Sequence, residues 1–100
     1  MSAAAALRLS PEDNVVVCRR PVLKGERVEV DGHVLIVADD VGLGHKLALV
    51  PLAIGDKVLK YGMPIGSMTQ AALPGSWVHM HNMKSDYMPA HLRDAQGDRA

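Results

Sequence analysis

Arg27-Val28-Glu29-Val30-Asp31-Gly32-His33-Val34-Leu35-Ile36-Val37 sets alternating polar and apolar residues on the near side of an Asp-Gly pair and a largely apolar run beyond it. A period of two is that of an extended strand, whose successive side chains point to opposite faces. Asp-Gly suits the two central positions of a type I′ turn, both of which need positive φ. The stretch therefore predicts a β-hairpin, with Arg27 to Val30 returning as His33 to Val37.

Outward from this hairpin, glycine and proline recur every few residues, and the segments between them are short and rich in Val, Leu and Ile. That is the composition of short strands joined by tight turns. Asn14 to Arg19 reads as a buried strand through Val15, Val16 and Val17, and Lys46 to Val50, Lys57 to Lys60 and Ser76 to His81 are further strands. A weak repeat runs through them: Val22-Leu23-Lys24-Gly25-Glu26-Arg27-Val28, Leu52-Ala53-Ile54-Gly55-Asp56-Lys57-Val58 and Ala72-Leu73-Pro74-Gly75-Ser76-Trp77-Val78. Each copy has an apolar residue two before a glycine and a valine three after it. A glycine-centred turn leading into a strand explains this, with the valine entering the core. The copies are too short and unevenly spaced for a solenoid; they read as similar corners of one folded-over, all-β unit.

Residues 1–8 are expected to form a flexible N-terminus, 9–82 the β domain and 83–100 a tail or linker. Few β-branched residues follow Asn82, and the polar run Asp94-Ala95-Gln96-Gly97-Asp98-Arg99-Ala100 is of a kind that frays. Met88-Pro89-Ala90-His91-Leu92-Arg93 suggests one helical turn after the proline.

At 100 residues the chain suits one domain of common size. It has no Phe, so Val, Leu, Ile, Ala and Met must fill the core and base-stacking platforms are scarce. Eleven basic and 11 acidic residues cancel, which leaves no basic footprint for nucleic acid. Cys18 is the single cysteine, so no intrachain disulfide forms, and within its apolar run it reads as a small hydrophobe. Met1 to Leu9 lacks the basic start and apolar core of a signal peptide, and no apolar run reaches the roughly 20 residues that span a bilayer. The expectation is a soluble, cytoplasmic protein without membrane or nucleic-acid partners. Met63, Met68, Met80, Met83 and Met88 read as adaptable core or interface filler.

Three places combine glycines with chemistry-bearing side chains. Gly42-Leu43-Gly44-His45-Lys46 presents an imidazole and an ammonium side by side in a loop where glycines permit close backbone approach. His plus Lys suits an anion, and a plain turn with two exposed side chains is the blander alternative. It is not a P-loop, since the glycine spacing and the Lys-Ser/Thr ending are missing. In Trp77-Val78-His79-Met80-His81-Asn82, an extended strand puts Trp77, His79 and His81 on one face and Val78 and Met80 toward the core. Two such imidazoles suit a metal ion or a carboxylate; they equally suit a surface or a partner, and no further ligand spacing completes a zinc site. In Lys60-Tyr61-Gly62 the tyrosine is expected to cover the core edge while Lys60 is free to meet an anion. His33, beside the hairpin turn, is expected to face solvent.

The order Pro11-Glu12-Asp13-Asn14-Val15, Gly44-His45-Lys46, Ile54-Gly55, Lys60-Tyr61-Gly62, Ile65-Gly66 and Val78-His79-Met80-His81-Asn82 resembles the altronate/galactarate dehydratase family. The resemblance is to its N-terminal SAF-type domain and runs from Leu9 to Asn82. Gly-His-Lys, Lys-Tyr-Gly and Val-His-x-His-Asn are together fairly specific. The same architecture serves as the alpha subunit of (2R)-sulfolactate sulfo-lyase, which these motifs do not separate from the dehydratases.

The resemblance implies a β-clip, a long bent hairpin folded on itself, that accompanies a much larger catalytic part, fused or as a separate subunit. That larger part is expected to hold a divalent metal, iron or manganese, and most catalytic groups, so that the isolated chain is inactive. The implied reaction is dehydration of a sugar acid such as altronate or galactarate to a 2-keto-3-deoxy acid. Sulfolactate cleavage at a carbon–sulfur bond, or a non-catalytic ligand- or partner-binding β-clip, are the alternatives. Loss of a proton beside a carboxylate passes through an enolate-like species whose charge needs cations or donors. His45 and His79 are accordingly the expected catalytic residues, and Lys46, Lys60, His81 and Asn82 the substrate-binding ones. Edge strands in so small a domain also allow self-association.

Overall fold

The computed structural model describes residues 4–86. Among them there is no helix, and so none long and apolar enough to cross a membrane. Nine strands occur in this region: β1 (Ala6–Leu7), β2 (Val15–Cys18), β3 (Arg27–Val30), β4 (His33–Ile36), β5 (Lys46–Ala48), β6 (Lys57–Lys60), β7 (Met63–Met68), β8 (Trp77–Val78) and β9 (Met83–Ser85). All pairings are antiparallel: a central sheet ordered β1-β2-β5-β8, a hairpin β3-β4, and a three-stranded sheet β6-β7-β9. The all-β expectation holds.

The central sheet is apolar on both faces, which explains why β2 reads Val-Val-Val-Cys without alternation. Val16, Cys18, Leu47 and Leu49 pack with Val28, Val30, Leu35 and Val37 of the first hairpin. Val15, Ala48 and Val78 pack with Val58 and Met68 of the second. Each fully buried Val or Leu contributes about 1.5–3 kcal/mol, so a core without Phe is adequate here because branched aliphatics fill both layers.

Four corners hold the strands in place. Glu26 N–H donates to Leu23 O, His45 to Gly42 O, Asp56 to Ala53 O and Ser76 to Leu73 O, each closing a four-residue turn. The third residue of each turn is a glycine with φ between 84° and 90° (Gly25, Gly44, Gly55, Gly75), the signature of a type II turn. Each glycine and its successor then oppose one strand residue. Gly25 N–H reaches Val37 O at 2.7 Å while Val37 N–H reaches Glu26 O at 2.9 Å, and Cys18, Met68 and Ala48 play Val37's part at the other corners. This is a bulge of two residues against one, which bends the strand. The three-copy repeat is thus real, and Val41 to Leu47 is a fourth copy hidden by Gly42 in place of the apolar residue.

The corners pair as Val22 with Val41 and Leu52 with Ala72, so each hairpin is flanked by two of them. The second hairpin carries one extra residue, Ile65, where the register slips opposite Val58 and Leu59. At Gly75 an added Cβ would lie 2.1 Å from Ile36 O, so this corner presses directly on the first hairpin.

Several expectations change. The paired region extends past both proposed boundaries: Ala6 and Leu7 pair with Cys18 and Val17, and β9 follows Asn82. The β-strand expected over Ser76 to His81 ends at Val78. Met80, placed toward the core by alternation, is 81% exposed, and Met63 is exposed too, whereas Met68 is buried. Tyr61 does not cover the core edge: it is 68% exposed and occupies a tight turn with Gly62, at φ of 59° and 72°. His33 is half-buried. The helical turn expected over Met88 to Arg93, and Met88 itself, lie outside the described residues.

The Tyr61-Gly62 turn is held from a distance. Asp13 is 1% exposed, and its carboxylate accepts from Tyr61 N–H at 3.0 Å, Gly62 N–H at 2.7 Å and Ser10 N–H at 3.1 Å. Its neighbour Asn14 accepts from Leu59 N–H and donates to Lys57 O, both at 2.8 Å. The Asp13-Asn14 pair therefore clamps the second hairpin to the start of β2.

Candidate functional site

Lys46 opens β5 beside Val78, and Leu47 lies beside Trp77 in β8. His45, just before β5, and His79, just after β8, therefore emerge at one end of the same strand pair. Directly paired residues of an antiparallel ladder project to the same face. Trp77 thus lies over the first core layer, against which it packs, and Lys46 lies on the face of Val78.

The β-strand stops at Val78 because Asn82 draws the chain into a turn. Its Oδ1 accepts from His79 N–H and its Nδ2 donates to Trp77 O, both at 2.9 Å, while Asn82 N–H donates to His79 O at 3.0 Å. An amide side chain that satisfies nearby backbone groups competes with the sheet ladder. The same device, a polar residue accepting from the N–H three positions back, operates at Asp13, Glu26 and Asp56.

The turn assembles a ring cluster. The Trp77 and His79 rings stack with centroids 5.1 Å apart and planes 9° from parallel, and His81 lies 4.9 Å from Trp77 at 39°. His45 meets His79 edge-on at 5.2 Å, and Trp77 Nε1–H donates to His45 Nδ1 at 3.3 Å. Trp77, His79 and His81 do come together as the alternation implied, through a turn and not through a continuous strand.

The cluster is electropositive. Burial, and then the nearby Lys60 ammonium, hold the Lys46 ammonium below the usual lysine range. Burial, followed by Lys46, His45 and His81, lowers the His79 imidazole below its ordinary value. Among the described residues neither Lys46 nor Lys60 has a carboxylate partner; the ion pairs there are Arg8–Asp31, Arg20–Glu26, Arg27–Glu29 and Lys57–Asp86. Half-buried cations without counter-ions favour an incoming anion.

Of the six residues picked from the sequence, His45, His79 and His81 join the ring cluster, whereas Lys46 projects on the Val78 face, where its charge acts on His79 and that of Lys60 acts on it. Asn82 differs in kind. It is buried, with its amide spent on the backbone, and so shapes the site from behind. An open depression of about 510 Å³ adjoins the cluster, lined by Trp77, His81, Lys24, Asp39 and Asp40. Among the described residues no group of three or more His, Cys, Asp or Glu side chains is placed to hold a metal ion. With His45 Nδ1 engaged by Trp77, these residues do not fit a metal centre.

Fold and site together define a small, doubly hairpinned β domain with a cationic, imidazole-rich edge. The chain belongs to the family of altronate/galactarate dehydratase SAF domains, whose model matches residues 4–86. It is 38% identical over 86 residues to an altronate dehydratase of Bacillus subtilis, covering 86% of this chain and 17% of that protein. It is 36% identical over 80 residues to the Escherichia coli altronate dehydratase, covering 80% of this chain and 16% of the relative. A (2R)-sulfolactate sulfo-lyase subunit alpha of Paracoccus pantotrophus is 48% identical over 46 residues, 46% of this chain and 69% of that subunit. The chain thus spans about a sixth of the length of the dehydratases it matches.

Proposed function

We propose that this chain is the SAF part of a cytoplasmic sugar-acid dehydratase, a carbon–oxygen lyase acting on a substrate such as altronate or galactarate together with a larger catalytic part. The observation that carries the reading is the pair of lysines without carboxylate partners among the described residues, Lys46 and Lys60, beside the imidazoles of His45 and His79 in a member of this family. A sugar acid brings a carboxylate, and removal of the adjacent proton spreads further negative charge onto its oxygens. Lys46 and Lys60 hold the carboxylate by charge, and His45 and His79 meet the developing oxyanion or the departing hydroxyl. A divalent metal, iron or manganese, belongs to the larger part; when bound there it supplies Lewis-acid stabilisation.

The test is alanine replacement of His45, His79 and Lys46, assayed in the complex reconstituted with the large chain. Loss of one oxyanion donor costs about 10²–10³ in kcat. Near-wild-type turnover by an intact complex of each variant would remove the proposed roles.

A second reading has its own support. The matched segments make up 52% and 69% of two sulfo-lyase alpha subunits, a far larger share than of the dehydratases. Sulfolactate is also a carboxylate, and the same cations serve a carbon–sulfur elimination. Parallel assays with altronate, galactarate and (2R)-sulfolactate on one preparation decide between the two.

A further inference from the structure

We infer that Trp77 is a positioning residue: its indole N–H, donated to His45 Nδ1, holds His45 as the Nε2–H tautomer, so that His45 acts as a fixed hydrogen-bond donor and not as a base. The role given to His45 rests on the lyase reading above; the tautomer itself does not.

Indole nitrogen is a donor only, so the bond at 3.3 Å requires a lone pair on His45 Nδ1. The ring proton of the imidazole must then sit on Nε2, because the hydrogen bond made by one ring nitrogen sets the state of the other. A proton on Nδ1 would set two donors against each other. Nδ1, the one basic atom of this tautomer, is therefore occupied, and no described residue accepts from Nε2. The free group that His45 offers is an N–H.

Trp77 is itself well anchored, as a positioning group must be. Its backbone pairs with Leu47, its carbonyl accepts from buried Asn82, its ring packs on the first core layer, and His79 stacks on it at 5.1 Å. An uncharged imidazole N–H is an effective donor to an oxygen that gains charge as a carbon acid ionises. His45 keeps its proton throughout, and the proton removed from the substrate goes to a base elsewhere in the complex. This separates His45 from His79, whose ring stacks on the indole and makes no such bond among the described residues.

The experiment begins with the full chain labelled with ¹⁵N, using long-range ¹H–¹⁵N correlation at a pH where the histidines are uncharged. Wild-type His45 is expected to show a protonated Nε2 and a bare Nδ1. Trp77→Phe, which keeps a ring for His79 and His81 but has no N–H, is expected to give a mixture of tautomers. In the reconstituted complex W77F is expected to lower kcat about tenfold or more with KM within about twofold, since the donor is aimed at the transition state. His45→Gln keeps a donor without a titrating ring, so it is expected to retain more activity than His45→Ala and to respond little to added W77F. A bare Nε2 in the wild type, an unchanged tautomer in W77F, or H45Q as inactive as H45A would each overturn the inference. An Nε2–H tautomer that is lost in W77F, in a complex that turns over no sugar acid or sulfolactate, supports the positioning by Trp77 and overturns the lyase reading alone.

Discussion

Replacing Asp13 by alanine removes the side chain that ties the Tyr61-Gly62 turn to the start of the central sheet. Three backbone N–H groups lose their acceptor, those of Ser10, Tyr61 and Gly62. A hydrogen bond to a charged group contributes about 1.5–3 kcal/mol when it is lost. Tyr61 and Gly62 are exposed and regain water, which brings the loss below the roughly 4.5 kcal/mol of three such bonds at their weakest, to about 3–4 kcal/mol. A domain of this size has about 5–15 kcal/mol in total, and each kcal/mol moves Tm by roughly 4–8 °C. The variant should therefore melt at least about 12 °C lower. The chain has a single tryptophan, so urea unfolding followed by Trp77 fluorescence reads the global transition cleanly. Asp13→Asn should cost less, about 2 kcal/mol, because one acceptor oxygen survives. Tyr61→Gly provides the internal control: it relieves a left-handed backbone at φ 59°, worth about 1–2 kcal/mol, against the extra chain entropy of glycine. It should be no less stable than wild type. A D13A chain within about 1 kcal/mol of wild type would refute the clamp.

Gly75→Ala sets a Cβ 2.1 Å from Ile36 O at a φ of 90°, so the variant should fail to fold or lose most of its stability on the same urea curve. Gly66→Ala sets one 2.2 Å from Lys84 O and should detach β9 alone, seen as faster amide exchange over Met83 to Ser85 with the β2–β5 amides unchanged. Asn82→Ala unmakes the turn that carries His79 and His81. It should cost about 1–3 kcal/mol and change Trp77 emission as the stacked His79 departs. For pH, His79 is lowered in the folded chain from the ordinary 6.5, by burial first and then by Lys46, His45 and His81. Between that value and the folded one the unfolded chain binds more protons, so stability falls as pH falls through this window. His79→Gln should flatten that part of the stability–pH curve; an unchanged slope would contradict the assignment.

What could be read from the chain depended on how local its cause is. The Asp31-Gly32 hairpin and the strand Arg27–Val30 follow from alternation and turn chemistry within a dozen residues, the strand Lys57–Lys60 from a short Val- and Leu-bearing segment between glycines, and they occur as expected. The corner repeat was legible for the same reason, since a glycine at positive φ imposes itself on its own neighbours. The Tyr61-Gly62 turn was not. Tyrosine is no turn former, and its left-handed conformation is stabilised by Asp13, far away in sequence. Strands β1 and β9, of two and three residues, carry no period at all; they exist because β2 and β7 offer open edges.

The site shows the same division within one segment. Alternation grouped Trp77, His79 and His81 and sent Met80 inward, yet a strand would have spaced the rings along one face without bringing His79 flat onto the indole. Asn82 was the decisive residue. Its position, three after His79, matches that of the polar residues that close turns at Asp13, Glu26 and Asp56, and its amide is likewise spent on the backbone. The geometry follows from the turn: His79 folds back on Trp77, the indole N–H is left facing His45, and Lys46, on the Val78 face of the β5–β8 pair, stays near enough for its charge to act on His79. The motif from Val78 to Asn82 is thus a unit in which the buried amide sets the backbone and so gathers the rings.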